Sequence, residues 1–303
     1  MTARHVLEDA EVRERVDMRT AVEAVRQAIA DLEAGLFTLP PRLVLGDGRV
    51  LVMSAYHVPS GTAVTKTLSV ERERVPAIRG SLVWTGHGED LVVDAAAVTA
   101  LRTGAIVGVA TDVLAAPGAC VMALLGSGAQ APDQVRAVHT VRKLSALRVF
   151  SPSPGHADAL IARLAPEFPG VDLCVTGSVN DAVAGADIVN CATSSDQPLF
   201  AMAALAERVH VNAIGSFRPS MRELPDELLG DARLLVVDQR SAVLDEAGEI
   251  IHALHSGVIT EDRIVELAAV LGERPEIEGR TVFKTVGIAV QDWAIANLLA
   301  KLS

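Results

Sequence analysis

Residues Val121-Met122-Ala123-Leu124-Leu125 form a continuous apolar run that ends in Gly126-Ser127-Gly128-Ala129-Gln130-Ala131. Such a run reads as a buried parallel strand, and G-x-G-x-x-A at its end reads as the turn that delivers a dinucleotide pyrophosphate to a helix N-terminus. Gly126 permits the tight turn, Gly128 lets the backbone approach the phosphates, and Ala131 lets the next helix pack closely. The glycine pattern alone is weak evidence. The strand–helix rhythm on both sides strengthens it, so Gly126, Ser127, Gly128, Ala129 and Gln130 are expected to bind the cofactor.

That rhythm begins at Cys120. Strands are predicted at 120–125, 147–150, 171–175, 188–192, 209–214 and 234–237, with helices between them at 134–143 and 156–164. The alternation is that of a doubly wound parallel sheet. Before it, Val22, Val25, Ile29 and Leu32 repeat at helical spacing within residues 16–35, and Pro40-Pro41 ends the pattern. Short apolar runs at 42–45, 50–55, 63–70, 78–85 and 91–93 then read as an antiparallel sheet. Residues 95–114 are Ala-rich and read as a helix, and 282–302 as an amphipathic helix returning to the first domain. The expected class is α/β: a Rossmann domain over 113–282, and an N-terminal α+β domain over 1–112 to which 283–303 returns.

With 303 residues, half of them hydrophobic, the chain is long enough for two cores. The formal charge of −11, without a Lys/Arg-rich block, argues against nucleic acid as a partner. The apolar region 92–125 is broken by Asp94, Arg102 and Asp112, so no membrane span is expected. The start, Met1 to Asp9, is polar and carries no signal-peptide core. Cys120, Cys174 and Cys191 each lie in an apolar run and read as buried thiols of a cytoplasmic protein.

In dinucleotide folds an acidic residue at the end of the second strand grips the adenosine ribose. Here that strand ends Val149-Phe150-Ser151-Pro152-Ser153, without Asp or Glu. A carboxylate would repel a 2′-phosphate, whereas two hydroxyls can bond one. Ser151 and Ser153 therefore favour NADP(H) over NAD(H), though serine also suits a helix start.

Three further segments narrow the reading: Val98-Thr99-Ala100-Leu101-Arg102-Thr103-Gly104-Ala105, the stretch from Val211 to Leu224 containing Gly215-Ser216-Phe217-Arg218-Pro219, and the stretch from Phe283 to Asp292 containing Lys284-Thr285-Val286-Gly287. With the glycine turn they resemble the ornithine cyclodeaminase/mu-crystallin family, from about Pro41 to the C-terminus. The resemblance implies a first domain that binds substrate and forms a homodimer, a Rossmann domain that binds NAD(P), and a small amino or imino acid as substrate. It matches Arg42, Lys66 and Arg102 to a clamp for the substrate carboxylate, a task suited to bidentate Arg. It adds Thr103, Thr193, Gly215, Lys284 and Gly287 to the cofactor-binding set. Thr285 reads equally as the cap of a helix start, and Asp238 as a helix N-cap.

Family members that cyclise ornithine, and related alanine dehydrogenases, carry an Asp just after the A-x-G turn, where this chain has Ser216 or Phe217. Ornithine cyclodeaminases also carry a Glu near the first-domain Met turn, here Leu51-Val52-Met53. Phe217, expected at the substrate, cannot hydrogen-bond an ammonium group. The turn instead resembles the mu-crystallin/ketimine reductase branch. The implied activity is reduction of a cyclic imino acid by hydride transfer, with Lys66 as the catalytic proton donor if one is required. An alanine dehydrogenase or cyclodeaminase with relocated acids, and a non-enzymatic NADPH- or small-ligand-binding protein, are the alternatives.

Overall fold

The computed structural model describes residues 6–71, 78–272 and 278–302. Met1 to His5 of the polar start lie outside the described residues. In chain order the elements are β1 (Val6–Leu7), α1 (Asp9–Arg15), α2 (Met18–Glu33), β2 (Phe37–Thr38), β3 (Leu43–Leu45), β4 (Val50–His57), β5 (Thr62–Val70), β6 (Ile78–Gly86), β7 (Glu89–Asp94) and α3 (Ala95–Leu114). There follow β8 (Val121–Leu125), α4 (Ala131–Val141), β9 (Ala146–Phe150), α5 (Pro154–Leu164), β10 (Asp172–Val175), α6 (Val179–Val183), β11 (Ile188–Cys191), β12 (His210–Ala213), α7 (Asp226–Asp231) and β13 (Leu234–Val237). The chain ends with α8 (Arg240–Glu246), α9 (Gly248–His255), β14 (Ile264–Glu266), α10 (Leu267–Val270), β15 (Thr281–Lys284) and α11 (Ala289–Lys301).

Two compact units result. One holds the residues up to Ile106 together with those from Gly287 onward; the other holds Val107–Val286. The first is built on a seven-stranded sheet of order β1-β7-β6-β5-β4-β2, with β3 also paired to β4. All its pairings are antiparallel except β1 with β7. Burial alternates along β4 and β5, as it must when one face of a sheet is covered. The cover is α11, which packs on β4, β5, β6 and β7 and against α2. On β5 the inward row is Thr62, Val64, Lys66, Leu68 and Val70, so the pleat turns a lysine into the core.

The second unit is an eight-stranded, all-parallel sheet of order β10-β9-β8-β11-β12-β15-β13-β14. Met122 and Leu124 of β8 join a core with α4 and α5, while Ala123 and Leu125 join one with α6, α7, α8 and α9. Helices cover both faces, which is why β8 is apolar throughout.

The predicted elements correspond to observed ones within a few residues, with one clear exception. Residues 282–302 are not one amphipathic helix. Thr281–Lys284 is a strand, fully buried between β12 and β13, and the helix begins only at Ala289. A four-residue apolar run carries no period that separates strand from buried helix. Nor is α11 amphipathic: it is buried on nearly every side. The thiols also differ from expectation, since Cys174 is exposed and Cys120 half-buried; only Cys191 is buried. β10 is an edge strand, so its alternate residues face solvent.

Candidate functional site

Arg42, Lys66 and Arg102 come together in the first unit, although they lie in three different elements of the sequence. Lys66 Nζ is 2.7 Å from both carboxylate oxygens of Asp292 and 3.4 Å from Thr99 Oγ1. Arg102 Nη1 donates to Gln291 Oε1 at 2.7 Å, and its Nε lies 3.5 Å from Asp292 Oδ1. Arg42 donates to the carbonyl of Gly287. Lys66 and Asp292 are completely buried, and Arg102 is 7% exposed.

Burial of an ammonium ion is costly unless an anion accompanies it. Asp292 supplies that anion from the first turn of α11. Burial nonetheless wins at Lys66: it pulls the pKa from 10.5 down to about 8, helped by Arg102 and Arg42 and opposed by Asp292. The lysine is thus mostly protonated at neutral pH and able to release its proton near it. Sequence reasoning named the three cations and missed Asp292 and Gln291. The available signal was a carboxylate inside the apolar stretch Ala289-Val290-Gln291-Asp292-Trp293-Ala294.

Thr103 and Gly287, expected among the cofactor residues, also lie in this unit. The Thr103 hydroxyl donates to Thr99 O one helical turn back.

The glycine turn lies in the second unit, between β8 and α4. Gly126 has φ +107°, and a Cβ there would meet Ala192 O at 2.4 Å. This glycine is required by the fold itself. At Gly128 a Cβ would meet nothing within 4 Å, so no protein atom demands glycine there. An open approach to backbone N–H groups ahead of a helix is what a pyrophosphate needs. Gln130 Oε1 is buried without a hydrogen-bond partner, a second sign of unmet polar capacity at this turn. The residues therefore fit a dinucleotide. Ser127 donates to Ser151 Oγ at 2.9 Å, which joins the glycine turn to the end of β9. Ser153 is the N-cap residue of α5 but makes no side-chain cap bond.

The remaining expected residues follow β11, β12 and β15 in the same unit. Thr193 donates from N and Oγ1 to Glu223, and Gly215 N donates to the other oxygen of that carboxylate. Lys284 Nζ donates to Ser216 O and Oγ, both at 2.6 Å, and stands 3.2 Å from Glu249 Oε1. Phe217 is half-buried, with the Arg218 guanidinium 5.3 Å from its ring centre. Two capping expectations are corrected. Asp238 caps no helix through Oδ2, which accepts from Thr285 Oγ1 at 2.5 Å, and Thr285 is thereby a strand-end donor. The fold brings the ends of β13 and β15 together, and the two side chains satisfy each other. Glu223 and Glu249 were not legible as site residues, because buried and solvated glutamates look alike in a sequence.

The family model described as ornithine cyclodeaminase/mu-crystallin family matches residues 2–301. A Delta(1)-pyrroline-2-carboxylate reductase of Bacillus cereus (strain ZK / E33L) is 35% identical over 218 residues, which is 70% of this chain and 66% of that protein, just under two thirds of its length. The ketimine reductase mu-crystallin of Mus musculus is 33% identical over 257 residues, 82% of this chain and 78% of that one. Among solved structures, Thermococcus litoralis Delta(1)-pyrroline-2-carboxylate reductase in complex with NADH and L-proline matches with a TM-score of 0.92 and 28% identity, covering 98% of this chain and 96% of that one. A glycine turn open to a pyrophosphate, a cluster of three cations of which two are buried, and a match over residues 2–301 lead to one conclusion: this chain belongs to the ornithine cyclodeaminase/mu-crystallin family.

Proposed function

We propose that this protein is a nicotinamide-dependent reductase of a small cyclic imino acid, of the Delta(1)-pyrroline-2-carboxylate or ketimine type. The observation that carries the reading is the cluster of Arg42, Lys66 and Arg102, in which Lys66 and Arg102 are buried against Asp292 and the half-buried Arg42 is held by the Gly287 carbonyl, an arrangement suited to an added carboxylate. Relatives named as pyrroline-2-carboxylate and ketimine reductases support it. So does the NADH and L-proline complex of the Thermococcus litoralis enzyme.

The two binding tasks fall to different units. Arg42, Lys66 and Arg102 hold the substrate carboxylate, and the turn from Gly126 to Gln130 holds the pyrophosphate of the cofactor. When bound, the nicotinamide supplies the hydride that the imine carbon accepts. Lys66 Nζ carries a proton up to about pH 8, and gives it to an imine nitrogen that arrives unprotonated. Phe217, in place of an acid, leaves an ammonium group without a partner and so disfavours free ornithine. Ser151 and Ser153 at the end of β9 support NADPH over NADH. A homodimer in the cytoplasm completes the reading; the exposed apolar row Leu43, Val44 and Leu45 on β3 supports the homodimer.

The test is a panel of pyrroline-2-carboxylate, piperideine-2-carboxylate, L-alanine and L-ornithine with each nicotinamide cofactor, followed by absorbance and ammonia release. The cyclic imines should consume NADPH, with slower or no reaction of the free amino acids. Ammonia and proline formed efficiently from ornithine would overturn the reading in favour of a cyclodeaminase. Cofactor binding without turnover of any imine would leave a ligand-binding protein.

A further inference from the structure

The loops that leave β11 and β12 touch each other. A Cβ on Gly215 would sit 1.9 Å from Thr193 O and 2.6 Å from Thr193 N, so glycine at 215 is what permits the contact. Both loops are tied to one side chain. Glu223 Oε1 accepts from Thr193 N at 2.7 Å and from Thr193 Oγ1 at 2.9 Å. Glu223 Oε2 accepts from Gly215 N at 2.7 Å and from Ser216 N at 3.3 Å. The carboxylate is completely buried.

All four groups are donors, and three belong to the backbone. The site therefore requires an acceptor on both oxygens, which an ionised carboxylate provides and an amide does not. Burial pushes the Glu223 pKa up, while Lys284 and the backbone donors pull it down. A second tie holds the same loop from below. Ser216 Oγ donates to Glu249, and Lys284 Nζ donates to Ser216 O and Oγ.

In the strand order, β8 lies between β9 and β11. The pyrophosphate belongs at the end of β8 and the adenosine on the β9 side, so the other half of the dinucleotide falls to the ends of β11 and β12. We propose that Glu223 is a positioning residue that locks the loops after β11 and β12 into the arrangement that receives the nicotinamide half of the cofactor. This deepens the cofactor reading above and rests on it.

Glu223→Gln puts an NH2 group against N–H donors and frees one of the two loops. The expected result is faster amide hydrogen exchange at Thr193, Gly215 and Ser216 in the protein without nucleotide. With it go an NADPH Kd raised at least about 10-fold, the loss typical of a charge-assisted hydrogen bond, and a higher cofactor KM. The KM for the imino acid should rise less than that for the cofactor, because Arg42, Lys66 and Arg102 lie in the other unit and only Phe217 follows this loop. Glu223→Asp, which keeps the charge and shortens the reach, is read in the same assays should the Gln variant not fold. It is expected to raise the NADPH Kd by less. Unchanged exchange and unchanged NADPH affinity in a folded variant would overturn the role of Glu223. A wild-type protein that binds neither NADPH nor NADH would instead overturn the cofactor reading, since amide exchange reports on the loops with no nucleotide present.

Discussion

At the scale of single residues, the chemistry concentrates on Lys66. In the proposed reaction its ammonium form is both cation and proton source, and that form exists below a pKa of about 8. kcat/KM for a cyclic imino acid should therefore be level near neutrality and fall up to 10-fold per pH unit as pH rises above about 8. In Lys66→Met the alkaline fall attributed to this group should vanish, on an efficiency reduced at least about 10-fold. A profile of kcat/KM from about pH 6 to 10 decides it. An alkaline limb that persists in the variant assigns the titration to another group. Arg42, Lys66 and Arg102 could be named from the sequence because the family resemblance matches them by position, Arg102 within the segment 98–105. Asp292 was missed, even though the Lys66 ammonium depends on it and the apolar residues around it were a signal of burial. Within an amphipathic helix expected over 282–302 it reads as a residue of the polar face, whereas the helix begins at Ala289 and carries Asp292 into the core against Lys66 of β5.

At the scale of elements, two glycines of one turn separate fold from function. Gly126 is held at positive φ against Ala192 O, so Gly126→Ala should destabilise the protein, lowering Tm by about 5 °C or more. Gly128 has open space where a side chain would go. Gly128→Val should leave Tm nearly unchanged and weaken NADPH binding at least about 100-fold, since the branched side chain occupies the phosphate approach. Thermal unfolding and nucleotide titration of the two variants check this together. Wild-type affinity in Gly128→Val would remove the turn from the cofactor site. This turn was legible because strand, glycine spacing and helix coincide within eleven residues. β15 was not. Thr281-Val282-Phe283-Lys284 has no visible period, and its place between β12 and β13 depends on contacts with residues 44 or more positions away in the chain.

At the scale of the whole molecule, Leu43, Val44 and Leu45 expose 59%, 56% and 51% of their surface on a strand that pairs with β4 alone among the described strands. An apolar edge left in water invites pairing or burial. Light scattering should give twice the 31.8 kDa chain mass at micromolar concentration, with an interface of about 2,000 Å² or more. Val44→Glu should shift the protein towards monomer. A wild-type monomer would place the function of this edge elsewhere. The change of rhythm at Cys120 led to an expected boundary at residues 112 and 113; the compact units divide at Ile106 and Val107, inside α3, which continues there without a break in its pattern. That division has a consequence for how the protein is made. Residues from Gly287 onward complete the first unit, yet the ribosome delivers them only after the entire second unit. At roughly 5–20 residues per second, the sheet from β1 to β7 waits on the order of ten seconds or more for the helix that covers it. Throughout that interval Lys66 has no Asp292, and the nascent chain presents an uncovered apolar face. Translation speed and chaperone supply should therefore govern the yield of active protein more strongly than the stability of the finished fold.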